Sequence, residues 1–270
     1  MAYCSTTANR GHMVSTVTDG GVRSVQIALD VLETVAFSSE ELGVTQIADR
    51  LGLTKGSVHR HLLTLVDRGY LTQNPATTRY SVGSKSRLLA RHAPENDLVR
   101  IADGPMRELR DRTGQSVVLS SMTPRGALVI SALPSSSPIE IGVRPGSELS
   151  FHSSAQGKVL LAFAQHPFQQ RVLSQAMQAF TTKTVVQPEL LEAGLADIRS
   201  QGFASAPEEA MLGINAVAAP IFDNTDAAVA AVAIVGSIQF LPAAPQDKVV
   251  LALKSCADQI SRKLGHSRNR

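Results

Sequence analysis

Between Thr54 and Arg91 the chain carries seven cations, Lys55, Arg60, Arg68, Arg79, Lys85, Arg87 and Arg91, against one acid, Asp67. That stretch is +6 whereas the whole 270-residue chain is +3 at neutral pH, which leaves the remainder near −3. Charge concentrated in this way is what a surface needs to hold a polyanion such as a phosphate backbone. The residue types also allow closer recognition. Lys55 can neutralise a phosphate, Arg60 can do the same or bridge two acceptors such as guanine O6 and N7, and Ser57 and His59 can hydrogen-bond either target. Gly56 admits two readings: it weakens a helix, and it lets backbone approach a bulky partner closely. Thr77, Thr78 and Arg79 form a second small group, in which Arg79 is either a contact to the edge of a duplex or an ordinary hairpin charge.

Side chains can read a groove only if a rigid element holds them outward. Thr54 has the chemistry of an N-cap, and Val58, Leu62, Leu65 and Val66 follow at helical spacing, so that one stripe is buried and Lys55, Ser57, His59 and Arg60 point away from it. Two helices come before it. The first spans residues 23–36, with Val25, Ala28, Leu29, Leu32 and Val35 as its apolar face; the second starts at Thr45, runs through Ile47, Ala48 and Leu51, and is ended by Gly52 in a left-handed turn. Two extended runs, residues 70–73 and 79–82, are joined by Asn74-Pro75-Ala76-Thr77-Thr78, which reads as a hairpin. Three helices and a basic hairpin predict a winged helix-turn-helix over residues 22–83. Arg23 and Thr45, at the starts of the first two helices, complete the expected contact set. Residues 1–21 are expected to be a disordered leader, with Met13 after Gly11-His12 as a second candidate start. A linker helix is expected over residues 84–95, broken near Pro94.

The hydrophobic period changes at Ser116. Strands are predicted over residues 116–122, 127–133, 139–143, 216–222 and 228–235, with turns at Pro124-Arg125-Gly126 and Asp223-Asn224-Thr225-Asp226 and a loop at residues 134–138. Helices are predicted over residues 96–113, 153–164, 188–201 and 246–264, with a further patch around Val172. Strands in antiparallel runs with helices set apart from them indicate an α+β domain over residues 96–268. Composition narrows the function. The 43% hydrophobic and 18% charged residues are ordinary for a folded chain. The longest apolar run, residues 227–236, falls short of the roughly 20 residues that cross a bilayer, and no secretory signal precedes the first helix, so the cytoplasm is the expected compartment. Cys4 and Cys256 have no His or Cys at ligand spacing, which argues against a disulfide framework, a zinc module or any other cofactor. His152, Ser153, Ser154 and Glu208-Glu209 are of catalytic type, but no nucleophile elbow or phosphate-cradling loop accompanies them, so an enzyme is not expected.

The runs Val22-Arg23-Ser24-Val25-Gln26-Ile27-Ala28-Leu29-Asp30-Val31-Leu32, Gly52-Leu53-Thr54-Lys55-Gly56-Ser57-Val58-His59-Arg60-His61-Leu62, Gly69-Tyr70-Leu71 and Arg79-Tyr80-Ser81-Val82-Gly83 closely resemble the IclR family of bacterial regulators. The likeness continues through His152-Ser153-Ser154-Ala155-Gln156-Gly157-Lys158 and through Gly202, Glu209 and Ala216-Val217-Ala218-Ala219-Pro220-Ile221-Phe222-Asp223, and so covers about residues 22–264. Ala206 departs from it, standing where Asp or Ser is usual. The resemblance implies a GAF- or profilin-like second domain, a curved antiparallel sheet with an effector pocket on one face. Carried over by position, the lining comprises Phe151, His152, Ser154, Ala155, Gly157, Asn215, Ala216, Ala233 and Val235. It also implies symmetric homodimers or homotetramers on near-palindromic double-stranded DNA, with the Leu88-Leu89 segment as a candidate contact.

Members of the family that bind small organic acids carry Ser where this chain has Ala233 and Val235. A mainly apolar cavity suits a larger effector, an aromatic or aliphatic acid. Two plainer readings stay open: residues 228–235 as a central strand covered on both faces, and His152 as a structural hydrogen-bond partner.

Overall fold

The computed structural model describes residues 21–92, 98–135 and 141–267, with His92 described by its backbone alone. The expected leader, the linker around Pro94 and the first part of the predicted 139–143 strand lie outside the described residues. The chain divides into two compact units, residues 1–95 and 96–270.

In the first unit, α1 (Arg23–Ala36), α2 (Val44–Leu51) and α3 (Lys55–Asp67) are followed by β1 (Leu71–Gln73), β2 (Tyr80–Val82) and α4 (Ser84–His92). The core is built from Val31 and Val35 of α1, Ile47 of α2, and Val58, Leu62 and Leu65 of α3, closed by Leu42, Leu71 and Tyr80. The face expected of α1 is corrected, since Val25 and Leu29 are exposed and Val31, outside that stripe, is buried instead. Gly52 takes φ +63°, a left-handed value that only glycine adopts without strain, and this frees the chain to turn directly from α2 into α3. The two wing strands pair antiparallel, Thr72 opposite Ser81, and Leu42 adds a bridge to Tyr80. That bridge ties the wing to the segment between α1 and α2.

The second unit is α+β. Its helices are α5 (Leu98–Thr113), α6 (Ala155–Ala162), α7 (His166–Leu173), α8 (Pro188–Gln201) and α9 (Asp247–Lys263). Its strands are β3 (Ser116–Met122), β4 (Ala127–Leu133), β5 (Glu148–Leu149), β6 (Ala204–Ser205), β7 (Ile214–Phe222) and β8 (Ala228–Ser237), in the antiparallel order β5-β4-β3-β8-β7-β6. Side chains alternate across this sheet. Val117, Leu119, Val217, Ala219, Val232 and Ile234 pack on α5 and α9, while Ala218, Ala231 and Ala233 pack on α6 and α8. Small residues on the second face let α6 lie close, and every residue of α6 is buried. Gly157 belongs to that close packing: a β-carbon there would stand 2.3 Å from the Ser150 carbonyl oxygen.

The predicted 139–143 strand is corrected. Ile141 and Val143 pair with nothing in the sheet; they bury their side chains against Val118, Val129 and Val235. The partner of β4 is β5 instead, with Ala127 opposite Leu149. Alternating apolar residues reported burial on one side and said nothing of a hydrogen-bonded neighbour. The two-residue strands β5 and β6 carry too short a pattern to be read in advance. Gly194 lies in the middle of α8, where glycine costs about 1 kcal/mol relative to alanine.

Candidate nucleic-acid interface and effector face

The first turn of α3 is set by Thr54, whose extended backbone precedes the helix and whose hydroxyl accepts the Ser57 N–H at 3.3 Å. This holds the helix start against fraying. Below the turn, Val58 and Leu62 are fully buried, which fixes the rotation of the helix about its axis. Lys55, Gly56, His59 and Arg60 are therefore exposed, and Ser57 is half-buried. At 100° per residue, Lys55 shares a stripe with His59 and Gly56 shares the neighbouring one with Arg60. Neither Lys55 nor Arg60 has an acid partner among the described residues. A β-carbon on Gly56 would meet nothing within 4 Å, so no internal contact requires the glycine. Arg23 and Thr45 are exposed as well, each in the first turn of its helix.

The wing tip is more committed. Glu41 accepts hydrogen bonds from Asn74 Nδ2 at 3.2 Å and from the Thr77 hydroxyl at 3.3 Å, and its own carbonyl accepts from Arg79 Nη1 at 2.9 Å. Thr78 adopts φ 58° and turns its hydroxyl back onto the Thr77 carbonyl. Thr77, Thr78 and Arg79 are all exposed, yet part of their hydrogen-bonding capacity shapes the turn.

In the second unit, Phe151, Ala155 and Ala233 share one buried cluster, and Val235 belongs to an adjoining one with Val118 and Val129; Ala216, cross-strand to Val235, packs against both. Polar groups beside them are mostly in use. The Ser154 hydroxyl donates to the Ser150 carbonyl at 2.7 Å and accepts the Gly157 N–H at 3.0 Å, making it the N-cap of α6. His152 Nε2 lies 2.9 Å from the Gln178 carbonyl, and the ring stacks on Phe180 at 5.9 Å. The other flank of α6 holds a buried ion pair, in which Lys158 Nζ donates to Glu209 Oε1. Hydrogen bonds from Thr181 and Thr184 to the carbonyls of Glu208 and Glu209, both 2.7 Å, hold the backbone that carries that carboxylate.

Residues 24–75 match the IclR helix-turn-helix domain, and residues 91–262 match the C-terminal domain of the bacterial transcriptional regulator IclR. The chain belongs to the IclR family of bacterial transcriptional regulators. The glycerol operon regulatory protein of Streptomyces coelicolor is 32% identical to it over 250 residues, 92% of this chain and 98% of that protein. The transcriptional regulator BhcR of Paracoccus denitrificans is 33% identical over 80% of this chain and 78% of its own. The crystal structure of an IclR regulator from Alicyclobacillus acidocaldarius is similar with a TM-score of 0.71 at 26% identity, covering 90% of this chain and 98% of that one. An IclR homolog from Microbacterium hydrocarbonoxydans, complexed with 4-hydroxybenzoate, shares the fold with a TM-score of 0.74 at 24% identity, over 90% of this chain and all of that one.

As an IclR-family protein, the chain is a DNA-binding transcription regulator with an effector-binding domain. One residue carried over by position stands apart from the others. Asn215 alternates with Ala216 and so faces α5 and α9, where its amide donates to the carbonyls of Leu241 and Pro242 at 3.1 and 2.9 Å and its oxygen accepts from Ser205. It fastens the chain after β8 to the sheet, on the side away from Phe151 and Ala155. Ala206, the departure from the family pattern, is buried, and its N–H donates to the Ala216 carbonyl at 3.0 Å, so the local turn is kept by backbone alone. Glu41 and the Lys158–Glu209 pair escaped the sequence reading because each joins residues more than thirty positions apart. No spacing rule reaches that far.

Proposed function

We propose that this IclR-family regulator grips a near-palindromic operator through the first turns of α3, with Arg60 reading base edges and Lys55 holding phosphate, and that a small organic effector alters that grip. In this reading residues 22–83 form the DNA-binding domain, residues 84–95 the linker and residues 96–268 the effector domain. The protein works in the cytoplasm without catalysing a reaction. The observation that carries the proposal is the pair of exposed cations with no acid partner among the described residues, standing above the fully buried Val58 and Leu62. Such cations can displace the counterions condensed on a polyanion without first having to break ion pairs within the protein.

The effector is an aromatic or aliphatic acid held beside Phe151, Ala155, Ala216, Ala233 and Val235, whose side chains offer apolar contact. With the Ser154 hydroxyl engaged as a cap, backbone N–H groups and the outer edge of His152 are left to meet its polar end. Control of a catabolic operon is supported by the likeness to the glycerol operon regulator and to the KdgR regulator of Dickeya chrysanthemi, 30% identical over 91% of this chain. Assembly as a homodimer or homotetramer is supported by Leu88 and Leu89 of α4, each more than half exposed.

The test is binding of full-length protein to duplex DNA from its own promoter region, followed by fluorescence anisotropy across a salt series. Arg60→Ala should lose about 1–3 kcal/mol on the operator and tolerate base changes at one position of each half-site. Lys55→Ala should weaken all sequences alike and reduce the magnitude of the salt slope by about 0.9. Unchanged affinity in both variants would remove α3 from the interface.

A further inference from the structure

The flank of α6 that carries Lys158 opens onto a cleft of about 340 Å³, bounded by α8, by β6 and by the chain around Pro245. That volume lies at the small end of ligand pockets. Its walls mix apolar side chains, Leu191 and Phe203 among them, with the polar Lys158, Asp197, Gln201 and Ser205, and Leu190 stands 60% exposed at its rim. We propose that this cleft is a second small-molecule site, separate from the effector face, and that it takes a neutral compound with a hydroxyl group on an apolar body.

Three observations converge on that chemistry. First, the Lys158 ammonium lines the cleft although the residue is only 7% exposed, and one of its three N–H donors is spent on Glu209 Oε1. The second carboxylate oxygen, Glu209 Oε2, is buried and has no partner among the described residues. A hydroxyl suits this setting, since it can accept from the Lys158 ammonium without bringing a second anion beside the buried Glu209. Second, the charge count disfavours acids. Lys158 is already offset by Glu209, and Asp197 on the wall by Lys254, which donates to the Gln201 carbonyl, so the surroundings are balanced and no uncompensated cation is left to hold a carboxylate. Third, Gly194 borders the cleft from the middle of α8, and a β-carbon there would meet nothing within 4 Å. Packing does not call for that glycine, and the helix would be firmer with alanine; a larger side chain would project into the cleft, and its absence keeps the space open.

Benzyl alcohol and benzoate, which differ in the group presented to Lys158, are suitable probes with the full-length protein. Isothermal titration should show saturable binding of benzyl alcohol and at least about tenfold weaker binding of benzoate to the same site. Gly194→Leu should weaken benzyl alcohol about tenfold or more, Gly194→Ala should retain it, and both variants should bind operator DNA as the parent does when no probe is present. Ser205 lines the cleft and its hydroxyl donates to Asn215, so Ser205→Ala should weaken the alcohol less than Gly194→Leu does. No saturable binding of benzyl alcohol up to its solubility limit, equal binding by Gly194→Leu and parent, or a preference for benzoate at this site would each overturn the proposal. None of these outcomes bears on the α3 reading or on an acid bound beside Phe151.

Discussion

Lys55 and Arg60 stand in solvent with no acid partner among the described residues, whereas Lys158 is buried against Glu209. Both arrangements place cations on short, well-capped helices, and both caps are hydroxyls, Thr54 in one unit and Ser154 in the other. The difference lies in when each charge meets its partner. A cation meant for an external polyanion keeps its charge available at little cost because water solvates it meanwhile. A buried cation must be neutralised within the fold, because desolvation is too costly otherwise. The comparison predicts that substitutions at the buried pair register as stability and those at the exposed pair register as affinity.

The largest effect should come from breaking the buried pair. Lys158→Met leaves Glu209 enclosed without its cation and should destabilise the C-terminal unit by about 3–5 kcal/mol, seen as a lower urea midpoint. Replacing both residues, Lys158→Met with Glu209→Leu, should recover much of that loss, because the desolvation cost disappears together with the attraction. If the single and double substitutions are equally destabilised, the pair is holding something other than each other.

A second test uses the opposite face of the sheet, without altering a charge that is already present. Burial pushes the Cys256 thiol up to about 12, with the nearby Glu108 carboxylate adding to the rise. An unfolded thiol titrates near 8.5, so above that pH the unfolded chain gains a charge that the folded one refuses. The stabilisation is therefore complete below about pH 8.5 and is lost as pH climbs toward 12, at up to about 1.4 kcal/mol per pH unit. Urea melts at pH 8, 9 and 10 should fall less steeply for Cys256→Ala than for the parent. Parallel slopes would mean that the thiol reaches solvent in the folded state.

These two regions were unequally legible in the sequence. The reading end of α3 depends on residues within one or two helical turns: a hydroxyl cap, an apolar stripe and the side chains left over. Periodicity reports such an arrangement directly in α3, as residue type does the turn at Gly52, whereas in α1 it marks Val25 and Leu29 where Val31 is the residue buried. The residues proposed to meet an effector come from β7, β8, the loop before α6 and α6 itself, and only register decides which neighbour faces which layer. A position carried over from a family gives the strand but not the side of the sheet, and this is how Asn215 came to be grouped with Ala216. The strand expected at residues 139–143 failed for a related reason: Ile141 and Val143 alternate because one side is buried against Val118, while the ladder position beside β4 goes to Glu148 and Leu149. Lys158 and Glu209 were each visible as ionisable residues. Their pairing across 51 positions was not.

The smallest expected effect concerns the wing, which lies between the two cases because Arg79 is exposed yet already bonded to the Glu41 carbonyl. If Arg79 also touches phosphate with its remaining N–H groups, Arg79→Ala should weaken operator binding by less than Arg60→Ala, about 1 kcal/mol or below, and reduce the magnitude of the salt slope by close to 0.9. Glu41→Ala separates contact from scaffolding. It removes the carboxylate that Asn74 and Thr77 share but keeps the carbonyl that holds Arg79, and it takes a negative charge away from a surface meant for DNA. A scaffold role for Glu41 predicts weaker binding with an unchanged salt slope, since a loosened turn lowers affinity without altering the number of phosphates neutralised. Should Glu41→Ala bind more tightly than the parent, electrostatic relief outweighs the ordering of the turn, and the wing contributes charge more than shape.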